Sequence, residues 1–184
     1  MMDLLGRLHP QIVHTPVALL VFSAFFAIVG RLFDREWVRK TSVLLLVFGF
    51  LGAYVAVQSG KVAHRVPEHR QGVPEKEIDE HAEFGWYTVW VSGAAVAAYA
   101  LATRVPAGAA GAVAVLALVL QLAAAVLVGI TGYRGGELTF EYGANVKVGG
   151  VLVKNPGAGV HGAAGADSAG APAADKDEDE KPAR

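Results

Sequence analysis

The stretch VPAGAAGAVAVLALVLQLAAAVLVGITGY, from Val105 to Tyr133, runs for 29 residues without a Lys, Arg, Asp or Glu. A helix needs about 20 apolar residues to cross a hydrocarbon core of about 30 Å, whereas a buried helix of a soluble protein needs only about 10–14. A charge near the bilayer centre costs about 2.5–3.5 kcal/mol, so charges are excluded from such spans. This stretch therefore predicts a transmembrane helix.

Three more charge-free stretches precede it, each 20 residues long: Gln11–Gly30, Thr41–Gly60 and Phe84–Thr103. Charged residues make up 18% of the chain, below the usual quarter, which argues against a water-soluble fold. We expect an all-α integral membrane four-helix bundle formed by residues 1–154, with helices at about 15–34, 37–64, 81–104 and 108–134.

Local signals mark the helix ends. Thr15 followed by Pro16 is typical of an N-cap with proline at the first helical position, which places the start of the first helix there. Gly135 and Gly136 are expected to interrupt the last helix. A secretory signal peptide is the alternative interpretation of the N-terminus, but the apolar run continues to Gly30 without a clear cleavage context.

Residues 155–184 differ in character from the rest of the chain. They are rich in Gly, Ala, Pro and charged residues. Such a segment cannot bury enough apolar surface to offset its conformational entropy. We expect a disordered C-terminal tail.

Composition also excludes several functions. The net charge of −1 gives no basic field for nucleic acid, so no nucleic-acid partner is expected. The absence of cysteine excludes thiolate catalysis, cysteine-ligated metal clusters and covalent c-type haem. No nucleophile motif and no acid within a span is present, so we expect no independent enzymatic activity and no proton-coupled transport.

Histidines indicate where the chemistry lies. His14 precedes the first predicted span with His9 close by, His64 ends the second, and His81 begins the third. In an up-down-up-down bundle these positions share one side of the membrane. Imidazole nitrogen is a common ligand of haem iron and of other metals.

Small residues lie on the same face of the second predicted helix as His64. Gly52, Ala56 and Gly60 lead to His64 at intervals of four, which allows close helix packing. Packing alone explains such a stripe; the alternative is that it leaves room for a flat macrocycle. We expect His14 and His81 to be the metal ligands, with His9 and His64 as alternates or a second site. Arg134 would pair with Glu137 or with a haem propionate.

Two motifs resemble those of a bacterial family of small four-helix membrane proteins built on a domain of unknown function. They are Leu8-His9-Pro10-Gln11-Ile12-Val13-His14 near the N-terminus and Gly132-Tyr133-Arg134-Gly135-Gly136-Glu137-Leu138 after the last helix. His81 matches the family's histidine at the start of the third helix. Some relatives are joined to c-type cytochrome or Rieske iron–sulfur domains, which implies electron transfer with a separate redox partner here.

Three functions follow as alternatives. The first is a haem b module that exchanges electrons with quinol and a separate cytochrome or Rieske protein. The second is a non-haem site for zinc, copper or iron. The third is a structural or assembly subunit without a cofactor.

We expect a multi-pass protein of the bacterial inner membrane. The density of cations in the two short loops favours the termini outside the cytoplasm, whereas a bare count of cations favours the reverse.

Overall fold

The structure is a computed structural model that describes residues 2–64 and 71–153. Its helices are α1 (Met2–Ile12), α2 (His14–Leu32), α3 (Glu36–Ala63), α4 (Glu75–Ala102) and α5 (Ala107–Phe140). The backbone N–H of Val13 bonds to the His9 carbonyl and that of Val17 to the Val13 carbonyl, so α1 and α2 continue one another across Val13. The all-α, four-helix fold predicted from the sequence is confirmed.

Three helices are long and apolar enough to cross a membrane: Gly6–Leu32, Glu36–Ala63 and Ala107–Phe140. The other predicted span, 84–103, is helical within α4 but does not reach the same apolarity. It contains Gly, Ser, Trp and Tyr among its apolar residues. A fourth crossing by α4 stays a prediction.

Several predicted helix ends were wrong. No side chain caps α2, because Thr15 lies inside a helix that already begins with α1. Helix α4 begins at Glu75, directly after Pro74, rather than near residue 81. Helix α5 continues through Gly135 and Gly136 to Phe140. A helical glycine costs only about 1 kcal/mol relative to alanine, which the tertiary packing of this helix end outweighs.

The predicted tail at residues 155–184 lies outside the described residues.

The four long helices form a closed ring in which α2 packs on α3, α3 on α4, α4 on α5 and α5 on α2. Leu20, Leu46, Ala95 and Val128 form the centre of the bundle, one from each helix. A Cβ on Gly49 would lie 2.6 Å from the side chain of Leu20, so only glycine lets α2 and α3 approach this closely. Helix α1 packs against the end of α3.

One polar chain crosses the interior towards the other end. Arg31 donates to the Tyr99 hydroxyl, which donates to Oε1 of Gln121, and Gln121 donates to Ser23. Gln121 and Ser23 are buried. These bonds join α2, α4 and α5 and satisfy the buried side-chain amide of Gln121.

Residues 141–153 form a segment that we call the cap. Its short antiparallel ladder pairs β1 (Lys147–Val148) with β2 (Val151–Leu152). Gly149 and Gly150 connect the strands, both with positive φ, as a two-residue hairpin turn requires.

Gln71 fixes the cap to the bundle. Its buried side chain donates to the carbonyls of Gly143 and Val153, at 2.7 and 2.6 Å, and accepts from the N–H of Asn145 at 2.8 Å. Val73, Ile78, Leu138 and Ala144 pack together beneath these bonds.

Candidate functional site

A cavity of about 540 Å³ lies at the end of the bundle where α2 and α4 begin and α3 ends. His9, His14, His64 and His81 all line it. The structure therefore brings together the four histidines that the sequence placed on one side. Ala144 and Asn145 of the cap form part of its wall, next to Leu138 of α5, so the cap lies against this cavity.

His9 enters the cavity from α1. Its Nδ1 lies 2.8 Å from the Ser59 hydroxyl, and Ser59 donates its own proton to the Ala56 carbonyl at 2.8 Å. The imidazole ring lies over Gly60, where a Cβ would come within 3.1 Å of its Cε1. Gly60 thus provides the space for the ring, and Ser59 fixes its orientation.

His81 extends into the cavity from α4 and, like His9, is positioned by a hydrogen bond and by contact with a glycine. Its Nδ1 donates to the Thr131 carbonyl at 3.1 Å. A Cβ on Gly135 would lie 3.0 Å from its Cε1. The helical course of α5 through Gly135 is what places this glycine against the ring.

The imidazole rings of His9 and His81 form an edge-to-face pair. Their centroids are 6.5 Å apart and their planes are inclined at 80°. These two helices do not neighbour each other in the chain, so this pair forms only in the folded bundle.

His14 and His64 complete the histidine lining. His14 is exposed at the start of α2, and its Nδ1 donates to the Pro10 carbonyl at 2.6 Å. His64 is half-buried at the end of α3 and is close enough to His9 and His81 to interact electrostatically with both.

His81 lies outside the three apolar spans. Its pKa is lowered to about 4, chiefly by burial and further by the imidazoles of His9 and His64. His81 is therefore neutral at physiological pH, which is the form of imidazole that coordinates metals.

Arg134 lies near this end but not on the cavity wall, as far as the described residues define that wall. Its guanidinium lies 3.1 Å from a carboxylate oxygen of Glu80, 3.5 Å from one of Glu137 and 3.9 Å from one of Glu77. The expected pairing with Glu137 is present. Three carboxylates around one arginine leave it little capacity for a further anion.

The described part of the chain does not assemble a metal site from protein ligands alone. Among residues 2–64 and 71–153, no group of three or more His, Asp or Glu is arranged to hold a metal ion. The lining is also mostly apolar carbon, which suits an extended organic group better than a hydrated ion.

Sequence reasoning missed the residues that position the rings: Ser59, the Thr131 carbonyl, and the roles of Gly60 and Gly135. Gly60 stood out as one of a small stripe. Gly135 was assigned to a helix break instead of a ring contact. Ser59 directly precedes Gly60, and a hydroxyl beside a small residue on a helix that ends in histidine is the signal that could have found it.

A family model for a predicted membrane protein, DUF2231, matches residues 7–148. That is more than half of the chain, and the chain belongs to this family. No curated protein and no solved structure matches it.

Proposed function

We propose that this DUF2231 protein binds haem b in the four-histidine cavity and serves as an electron-transfer module of a bacterial respiratory or redox system. The observation that carries the proposal is the facing pair of His9 and His81 on the wall of a large, mostly apolar cavity.

The spacing of this pair would suit binding of one metal by both rings. Metal–imidazole bonds are about 2.0–2.1 Å long, so two rings that bind the same metal have centres up to about 6 Å apart. The observed separation of 6.5 Å is close to this value. The residues that would hold the haem iron are therefore His9 and His81, in place of the His14–His81 pair expected from the sequence. His14 and His64 remain alternates.

The volume and the lining of the cavity favour a macrocycle rather than a bare metal ion. Its volume of about 540 Å³ is many times the roughly 30 Å³ that one water occupies in the liquid. Beyond the imidazoles its lining includes Lys61, Asn145 and three threonines, but most of the lining surface is apolar, as in sites for organic groups. Arg134 is engaged by carboxylates, so we do not assign it to a propionate.

Bound haem would supply one-electron chemistry, and the protein would supply the imidazoles that hold its iron and the apolar walls around it. Quinol in the bilayer and a separate cytochrome or Rieske protein are the proposed electron partners.

The test is the optical spectrum of detergent-purified protein expressed with sufficient haem, oxidised and reduced. We expect a Soret band with the sharp reduced bands of two-histidine ligation. His9→Ala or His81→Ala should abolish that signature. His14→Ala tests the alternate ligand: it removes a lining imidazole outside the His9–His81 pair and should leave the signature intact if that pair holds the iron.

Absence of a Soret band from the native protein, or unchanged spectra in both His9→Ala and His81→Ala, would contradict the proposal. Stoichiometric zinc, copper or iron in elemental analysis of haem-free protein would indicate the non-haem alternative. Absence of both would leave a structural or assembly role.

A further inference from the structure

The hydrogen-bonding partners of the imidazoles determine which ring nitrogen can bind a ligand. A neutral imidazole carries one N–H, so one nitrogen donates and the other holds a lone pair. A backbone carbonyl can only accept. The Nδ1 atoms of His14 and His81 lie 2.6 and 3.1 Å from the carbonyls of Pro10 and Thr131, so both Nδ1 atoms carry the proton.

The same argument extends to His9 through Ser59. The Ser59 hydroxyl has one proton, which it donates to the Ala56 carbonyl. Its oxygen can then only accept from His9, whose Nδ1 lies 2.8 Å away. Ser59 is buried on α3, so water does not compete for this bond.

We infer that His9, His14 and His81 are all held as Nδ1–H tautomers, which leaves the lone pair of each Nε2 for a ligand in the cavity. We infer further that Ser59 is the residue that fixes the tautomer and orientation of His9. Ser59 is a positioning residue, since it acts through the imidazole and does not itself line the cavity as described.

The ligand class follows from this arrangement. Imidazoles that all offer Nε2 lone pairs suit an electron-pair acceptor such as the metal of a prosthetic group. Metal-bound histidines in proteins almost always donate their other N–H to a fixed acceptor, and loss of that acceptor weakens binding about 10–100-fold. This interpretation rests on the proposed function; the tautomers themselves do not.

The test is ¹⁵N NMR of histidine-labelled, full-length protein in detergent without added cofactor. The two nitrogens of a neutral imidazole have well-separated shifts, and single His→Gln variants assign each ring. We expect Nδ1–H for His9, His14 and His81. Ser59→Ala should move His9 alone towards the Nε2–H form that histidine favours in water, and Ser59→Thr should restore Nδ1–H.

Ser42→Ala is the matched control. Ser42 lies on the same helix, is equally buried and also donates to the carbonyl three residues before it, but at the other end of α3. It should leave all three imidazole spectra unchanged. Far-UV circular dichroism checks that each variant is folded.

Nε2–H at His9 in the native protein, or an unchanged His9 spectrum in folded Ser59→Ala, would overturn the inference. Haemin titration then separates it from the proposed function. Nδ1–H tautomers without haem binding would uphold the inference and reject the haem proposal. Where haem binds, Ser59→Ala should weaken it about 10–100-fold.

Discussion

At the scale of single residues, two glycines leave the space in which the imidazole rings of His9 and His81 lie. A Cβ on Gly60 would lie 3.1 Å from the His9 ring and one on Gly135 would lie 3.0 Å from the His81 ring, so a methyl group at either position would require the ring to shift by a few tenths of an ångström. Both are in helices, where glycine is otherwise unfavourable by roughly 1 kcal/mol relative to alanine. Their value to the protein is the volume that they leave empty.

Gly135→Ala should therefore displace His81 while leaving the helix intact. The new Cβ would meet the ring at about 3.0 Å. We expect at least a tenfold loss of haemin affinity with no fall in thermal stability, because alanine favours the helix. Haemin titration and thermal unfolding in detergent measure the two effects.

Gly129→Ala is the control for this prediction. It lies six residues earlier on α5, it is not among the residues that line the cavity, and a Cβ there would meet nothing within 4 Å. It should keep full affinity. Equal losses in both variants would show that the effect comes from the helix and not from contact with the ring.

At the scale of elements, the cap is joined to the rest of the protein by the Gln71 side chain, by the bond from the Ala144 N–H to the Leu138 carbonyl, and by the apolar cluster around Ile78. All of the hydrogen-bonding groups of the Gln71 amide are used: both N–H groups and the oxygen bond to backbone atoms of residues 143, 145 and 153. Replacing this side chain would leave the Asn145 N–H and the Val153 carbonyl without the partner that Gln71 supplies, whereas the Gly143 carbonyl keeps its bond from the Val146 N–H. A group that stays buried without a partner costs about 1–3 kcal/mol.

Gln71→Ala should release the cap without unfolding the bundle. Hydrogen–deuterium exchange of peptides covering residues 141–153 should rise at least tenfold, while exchange in α2 and α3 stays the same. Thr139→Ala is the control, since its exposed hydroxyl bonds only within α5, to the Gly135 carbonyl. Unchanged exchange in the Gln71 variant would show that the apolar contacts suffice to hold the cap.

At the scale of the whole molecule, the sequence predicted the helices and the side of the bundle on which the histidines lie. Both predictions depend on the lengths of the charge-free stretches and on the alternating direction of successive helices. The sequence shows these features for each helix separately. The His9–His81 pair could not be predicted, because it depends on how α1 and α4 are rotated about their axes. His81 contacts Gly135 because Gly135 and Gly136 remain helical. Glycine intrinsically disfavours the helix, so this contact could not be predicted either.

Topology can be tested with single cysteines, because the chain has none of its own. We expect Asp34→Cys and Thr103→Cys to be labelled from one side of the membrane by an impermeant maleimide. Glu75→Cys and Lys147→Cys should be labelled from the other, which is the outer side in the predicted orientation. All four positions are exposed.

Labelling of residues 75 and 103 from opposite sides of the membrane would establish that α4 crosses the bilayer. Labelling of both from the same side would mean that three helices cross and α4 does not. Labelling of residue 147 only after the cells are opened would reverse the proposed orientation.

The position of the cavity at one end of the bundle has an electrical consequence. Helix α5 has 34 residues and is about 51 Å long, well beyond the roughly 30 Å hydrocarbon core, and the cavity lies near its C-terminal end. An electron arriving there from the adjacent aqueous phase would cross little of the transmembrane voltage, which acts at about 2.3 kcal/mol per charge per 100 mV over the full thickness. A redox centre in this cavity would exchange electrons along one surface, and carrying charge through the bilayer would require a second centre.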